Sequence, residues 1–234
     1  MDSSETVSHF FYAADTFPSR VFYVLDLLGT MSFAFSGAIR AMDRKPDIIG
    51  MLILAAVTAL GGAIFRDGIL NRNVIVLVDP MYTVMIVLAV LITFFYPSKL
   101  FRSHKMFQYF DAVGLAVFAA VTASVAWQTF HLHPISVTLI ACFGGCAGGV
   151  VRDLVIQKPT VVLSNEIVVM PVIVGAICLM TVESLGFGEL AGFIAAVFVG
   201  TVLRIIAIIG DLRFPRIMYV EKPPKEKKPK NKRR

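Results

Sequence analysis

Two Arg-Asp dipeptides, Arg66-Asp67 and Arg152-Asp153, stand in otherwise apolar sequence. Each follows a run of small residues at the same spacing, Gly61-Gly62-Ala63 before the first and Ala147-Gly148-Gly149 before the second. A charge at the centre of a bilayer costs ~2.5–3.5 kcal/mol on insertion scales, so such residues face a wet cavity or one another. Two placements fit. At the midplane the pairs would set the electrostatics of a path through the membrane, with Asp67 and Asp153 holding Arg66 and Arg152. At helix ends they would be interfacial charges. The glycines also carry two readings. A break at Gly61, Gly62, Gly148 and Gly149 would free backbone carbonyls able to coordinate a cation, whereas an unbroken stripe of small residues lets two helices approach closely.

The elements that position these residues are membrane helices. Of 234 residues, 57% are apolar and 16% charged, against ~25% charged in an ordinary soluble domain, and the mean hydropathy is +0.77. Seven apolar stretches approach the ~20 residues that cross a bilayer core: Val21–Ala41, Ile48–Phe65, Tyr82–Tyr96, Phe107–Trp127, Pro134–Val151, Ile167–Thr181 and Glu189–Ile209. They leave no room for a second folded domain. Soluble enzymes and disulfide-stapled modules are excluded, and Cys142, Cys146 and Cys178 read as small packing residues inside apolar segments. No phosphate loop, nucleophile elbow or HExxH zinc pair is present, so no enzyme and no cofactor is expected.

The second half of the chain repeats the first. Asp26 and Gly29 in DLLG recur as Asp111 and Gly114 in DAVG at an offset of 85, and GGAIFRDGIL recurs as AGGVVRDLVI at an offset of 86, with Asp79 aligned to Asn165. Three spans is an odd number, so the second unit must enter the membrane from the opposite side, which gives inverted repeats about an axis in the membrane plane. The expected fold is an all-α polytopic membrane protein: a segment at 1–20, a three-helix repeat at 21–96, its inverted partner at 107–183, a seventh helix at 187–210 and a basic tail at 211–234. Lys and Arg collect after spans 1, 3, 5 and 7, which places the N-terminus outside and the C-terminus in the cytosol of a cell-membrane protein. The polar first twenty residues lack the basic start of a cleavable signal. The tail carries 10 Lys/Arg against 3 Asp/Glu and reads as a segment lying on anionic lipid, not as a nucleic-acid arm.

Other polar groups are few. Ser36, Thr58, Thr122 and Asp79 could line a hydrated path, although hydroxyls in membrane helices also bond back to their own backbone. Asp26 and Asp111 could attract a cation or complement a helix dipole. Arg204 reads as snorkelling to the cytosolic boundary. His131 and His133 form an HxH pair, too little for a metal site without further ligands. Trp127, Tyr82, Tyr96 and Tyr109 read as an aromatic belt.

The doubled Gly-Gly-small-x-x-Arg-Asp signature, the three-plus-three-plus-one spans, the DPMY of Asp79–Tyr82 and the basic tail together resemble the trimeric intracellular cation channel family in its prokaryotic branch, over residues 20–210. Ala63 and Ala147 each replace a glycine of the fullest family pattern. The resemblance implies a homotrimer with one pore per protomer, permeable to K⁺, and spans 2 and 5 kinked at their glycines. The same broad family has been labelled a transporter of small amino acids, glycine in particular, which supplies the alternative function.

Overall fold

The computed structural model describes residues 17–69, 74, 78–96, 104–161 and 167–213. Most of the N-terminal segment, most of the basic tail with its expected lipid contact, and Asn165 lie outside the described residues. Among the described residues the chain forms seven α-helices: α1 (Phe17–Ala41), α2 (Ile48–Ile69), α3 (Pro80–Phe95), α4 (His104–Gln128), α5 (Pro134–Val155), α6 (Val169–Ser184) and α7 (Glu189–Ile209). A 3₁₀ turn, Met42–Arg44, follows α1.

Local chemistry explains the helix starts. Asp79 caps α3 by accepting the Met81 amide at 2.8 Å, with Pro80 in the first turn where its missing N–H costs nothing. His133 caps α5 in the same way, its Nδ1 accepting the Ile135 amide at 3.4 Å ahead of Pro134. α2 and α5 each run four residues beyond the spans expected from hydropathy, because the Arg-Asp pairs are carried inside the helices. Five of the described helices are long and apolar enough to cross a membrane. α3 and α6, with 16 residues each, rise only about 24 Å. They are the third helices of the two units, so the shortening itself obeys the repeat.

The contacts fix which ends lie together. The Tyr23 hydroxyl donates to Asp79 at 2.6 Å, and the Phe22 and Phe193 rings meet edge-on at 4.6 Å, so the starts of α1, α3 and α7 share one face, here the N-terminal face. Arg44 donates to the Ile156 carbonyl at 2.6 Å and Lys158 pairs with Asp43, which joins the ends of α1 and α5 at the opposite, C-terminal face.

The repeat axis is visible in side-chain packing. A Cβ on Gly114 would meet Phe33 at 2.6 Å, and one on Gly29 would meet Val117 at 2.6 Å and Phe118 at 3.4 Å. Gly29/Gly114 and Phe33/Phe118 are repeat mates, and the two rings sit 5.1 Å apart between α1 and α4. The glycine helices α2 and α5 cross at the same level. A Cβ on Gly62 would meet the Gly144 carbonyl at 2.7 Å, one on Gly61 would meet Gly148 Cα at 3.3 Å, and one on Gly148 would overlap the Thr58 carbonyl. Both helices pass through these glycines as continuous α-helix. The expected break is therefore replaced by backbone-to-backbone contact: the glycines release no carbonyls but let two helices touch, which is the main source of association where no hydrophobic effect acts between helices.

Candidate functional site

Among the described residues two polar clusters are buried in this apolar bundle, each centred on the Arg-Asp pair of one repeat. Near the N-terminal face, the Arg66 Nε and Nη2 donate to the two Asp67 carboxylate oxygens at 2.8 and 3.3 Å. The Asp26 carboxylate of α1 acts on the same guanidinium through space and accepts the Tyr82 hydroxyl of α3 at 2.7 Å. Arg66, Asp67, Asp26 and Tyr82 are each 0–1% exposed. Tyr23 extends the set to Asp79.

Near the C-terminal face, the Arg152 Nε donates to Asp153 at 3.0 Å, and its Nη1 reaches both the Asp111 carboxylate of α4 and the Ser36 hydroxyl of α1, the latter at 2.6 Å. Ser36 in turn donates to Asp111 at 3.0 Å. The second Asp153 oxygen accepts the Val161 amide at 3.0 Å, and the guanidinium lies 4.5 Å from the Phe107 ring centroid. One guanidinium nitrogen in each cluster, Arg66 Nη1 and Arg152 Nη2, is buried with no hydrogen-bond partner among the described residues.

The arginines thus lie neither at a shared midplane constriction nor at exposed interfaces. They occupy the last turns of α2 and α5, near opposite faces, and are fully enclosed. A guanidinium in a helix's last turn is favoured by the dipole, and the aspartate beside it holds its orientation. Asp26 and Asp111 reach across from α1 and α4. Their identical place in the repeat was the signal that could have assigned them to the site. Ser36 belongs to the C-terminal cluster, and Asp79 caps a helix beside the N-terminal one. Thr58 and Thr122 are buried between the clusters, and each hydroxyl donates at 2.6 Å to the carbonyl one turn back, Leu54 and Phe118. They are also reciprocal: Thr58 packs where α1 has Gly37, and Thr122 packs where α5 has Gly144.

Two further residues, Tyr82 and Arg204, depart from the sequence expectation. Tyr82 is not a belt anchor but a buried donor to Asp26. Arg204 does not snorkel; it is 2% exposed and donates to the Ile167 carbonyl at 3.0 Å. His133 serves as a helix cap. A cavity of about 10 Å³ adjoins the C-terminal cluster, lined by Asp111, Cys146, Gly149, Arg152 and Asp153 among others. That is the space of roughly one water molecule.

A family model described as Glycine transporter matches this chain twice, at residues 23–98 and 108–184. A UPF0126 membrane protein of Vibrio cholerae is 30% identical over 205 residues, covering 84% of this chain and 83% of the relative. The UPF0126 membrane protein YvgT of Bacillus subtilis is 32% identical over 196 residues, covering 82% and 94%. Among solved structures, a prokaryotic TRIC channel in 0.5 M KCl superposes with a TM-score of 0.77 at 26% identity, over 82% of this chain and 98% of that one. The TRIC trimeric intracellular cation channel orthologue from Rhodobacter sphaeroides gives 0.75 at 28% identity, over 82% and 99%. The chain belongs to the trimeric intracellular cation channel family. It is a multi-pass membrane protein, and the two segments matched by the family model hold one Arg-Asp pair each: Arg66 and Asp67 in the first, Arg152 and Asp153 in the second.

Proposed function

We propose that this protein is a cation channel of the membrane in which it resides, with K⁺ as the permeant cargo. Each protomer of a homotrimer carries its own path, running from one cluster to the other along the α1, α2, α4 and α5 crossing. The N-terminal face looks out of the cell and the C-terminal face, with the basic tail on anionic lipid, looks into the cytosol, as the Lys/Arg distribution favours.

The observation that carries this reading is the charge balance of the clusters. Among the described residues Asp26 and Asp67 stand against Arg66, and Asp111 and Asp153 against Arg152, so each cluster sets two carboxylates beside one guanidinium. A surplus carboxylate near each mouth of an apolar bundle favours a cation over an anion at both entrances. The arginine then acts as an internal counter-ion that a permeating cation displaces. Both clusters are closed by direct contacts, and the cavity beside Arg152 is too small for a hydrated ion. Opening therefore requires Arg152 to part from Asp111 and Ser36. Membrane voltage can supply part of that work, at ~2.3 kcal/mol per charge per 100 mV.

Transport of a small amino acid is the second reading, and the family model's description favours it. A zwitterion would need the space beside Asp111 and Arg152, where there is room for about one water. Recording purified protein in a planar bilayer with asymmetric KCl, then adding excess glycine, separates the two. Unitary currents reversing near the K⁺ potential and unchanged by glycine are expected. A silent bilayer, with saturable glycine uptake into liposomes from the same preparation, would overturn the channel.

A further inference from the structure

Among the described helices α7 alone lies outside the two repeats, and it reaches the C-terminal cluster through Arg204. In the first repeat the start of the third helix, α3, is fixed from within: Asp79 caps it and Tyr23 holds Asp79. The start of α6, the third helix of the second repeat, has no such cap. Its N-cap residue, Val168, lies in the right-handed helical region and makes no side-chain hydrogen bond to the helix end. One residue back, the Ile167 carbonyl is the one that an N–H at position 171 would meet if the helix continued. Residue 171 is proline and has no N–H to give. The Arg204 Nη1 takes its place, donating to the Ile167 carbonyl at 3.0 Å from α7.

Close packing holds the two helices in this register. A Cβ on Gly200, one turn before Arg204, would meet the Pro171 carbonyl at 3.6 Å, and one on Gly175 would meet the Ala196 carbonyl at 3.2 Å. Arg204 and Val168 are both buried, and in an apolar bundle a carbonyl left without a donor is costly, so the arginine is tied to its place. Val168 is also a wall of the small cavity beside Arg152 and Asp153, a lining it shares with Cys146 of α5. The chain of contacts therefore runs from α7, through one backbone carbonyl, to the edge of the C-terminal cluster.

We infer that Arg204 is a positioning residue for the C-terminal cluster: its bond to the Ile167 carbonyl keeps Val168 closed over the cavity beside Arg152 and Asp153, so the seventh helix sets how readily that cluster opens. The link to the cavity stands on geometry alone, and its effect on opening rests on the channel reading.

Two measurements keep these apart. In the full-length protein carrying Cys142→Ala and Cys178→Ala, Cys146 is the one thiol left, and its rate of reaction with N-ethylmaleimide reports access to the cavity. Arg204→Met should speed that reaction about fivefold or more. Adding Pro171→Ala supplies an N–H for the Ile167 carbonyl, and the rate should return to within about twofold of the parent protein. Both variants lack the charge, so the difference between them reports the carbonyl link. In planar bilayers Arg204→Met should raise open probability at unchanged unitary conductance, and Pro171→Ala should reverse the rise. An Arg204→Met protein that purifies only with Pro171→Ala supports the assignment through the same rescue. A Cys146 rate unmoved by Arg204→Met, a rise that Pro171→Ala does not reverse, or failure of both variants to purify would overturn it. Altered rates with unchanged open probability would overturn the control of opening, whereas a bilayer silent for every protein would count against the channel reading and leave the Cys146 rates to decide the link.

Discussion

The two clusters descend from one duplicated sequence, yet they are braced differently. In the N-terminal cluster the brace is aromatic and local: Tyr82 holds Asp26 and Tyr23 holds Asp79, and all four residues belong to the first repeat. In the C-terminal cluster the repeat mate of Tyr82 is Val168, which cannot donate, and the brace is Ser36, borrowed from the first repeat. The mate of Ser36 is Val121. The small residue beside Arg152 is Gly149, 3.5 Å from its Nη2 when extended by a Cβ, where the first repeat has Ala63. The duplication therefore preserved the charges and let the neutral supports diverge. The N-terminal cluster is closed within one repeat. The C-terminal cluster is closed only while α1 and α4 keep their relative positions, which on the proposed channel reading makes it the gate.

Removing the cation tests this difference most severely. Arg152→Leu leaves Asp111 and Asp153 buried without a counter-ion, which costs about 3–5 kcal/mol for a broken buried pair. Arg66→Leu costs less, because the Tyr82 hydroxyl holds Asp26 at 2.7 Å, whereas Ser36, itself released by the loss of Arg152, holds Asp111 at 3.0 Å. Denaturant titration in detergent measures both, and equal losses would erase the distinction between the braces. Removing the braces alone is gentler. Tyr82→Phe and Ser36→Ala each strip a hydrogen bond to a charged group, about 1.5–3 kcal/mol. Their effects on current should differ. Ser36→Ala frees Arg152 and raises open probability, whereas Tyr82→Phe leaves it near the unsubstituted value. A Tyr82→Phe channel that opens more readily than Ser36→Ala would move the gate to the other face.

Much of this architecture could be read from sequence because it is periodic. The helix count, the inverted repeat and the presence of the two Arg-Asp pairs follow from hydropathy and from an offset of 85–86 residues, and α7 has the bounds that hydropathy gives it. What escaped was whatever one helix does for another. Gly148 has the same composition whether it breaks α5 or lets α5 rest on the Thr58 carbonyl, and only the crossing of α2 and α5 decides. Tyr82 and Ser36 have no repeat mates of like chemistry, so the internal symmetry that exposed Asp26 and Asp111 could not point to them. Arg204 lies near the end of an apolar helix, where snorkelling is the ordinary outcome. The Ile167 carbonyl that holds it instead is 37 residues away in sequence.

The surplus carboxylate in each cluster is the heart of the functional reading, and reversal potential in a KCl gradient tests it directly. The unsubstituted protein should reverse near the K⁺ potential, and Asp26→Asn with Asp111→Asn together should move the reversal toward zero as the extra negative charge is lost at both mouths. A doubly substituted channel with undiminished cation preference would contradict the account.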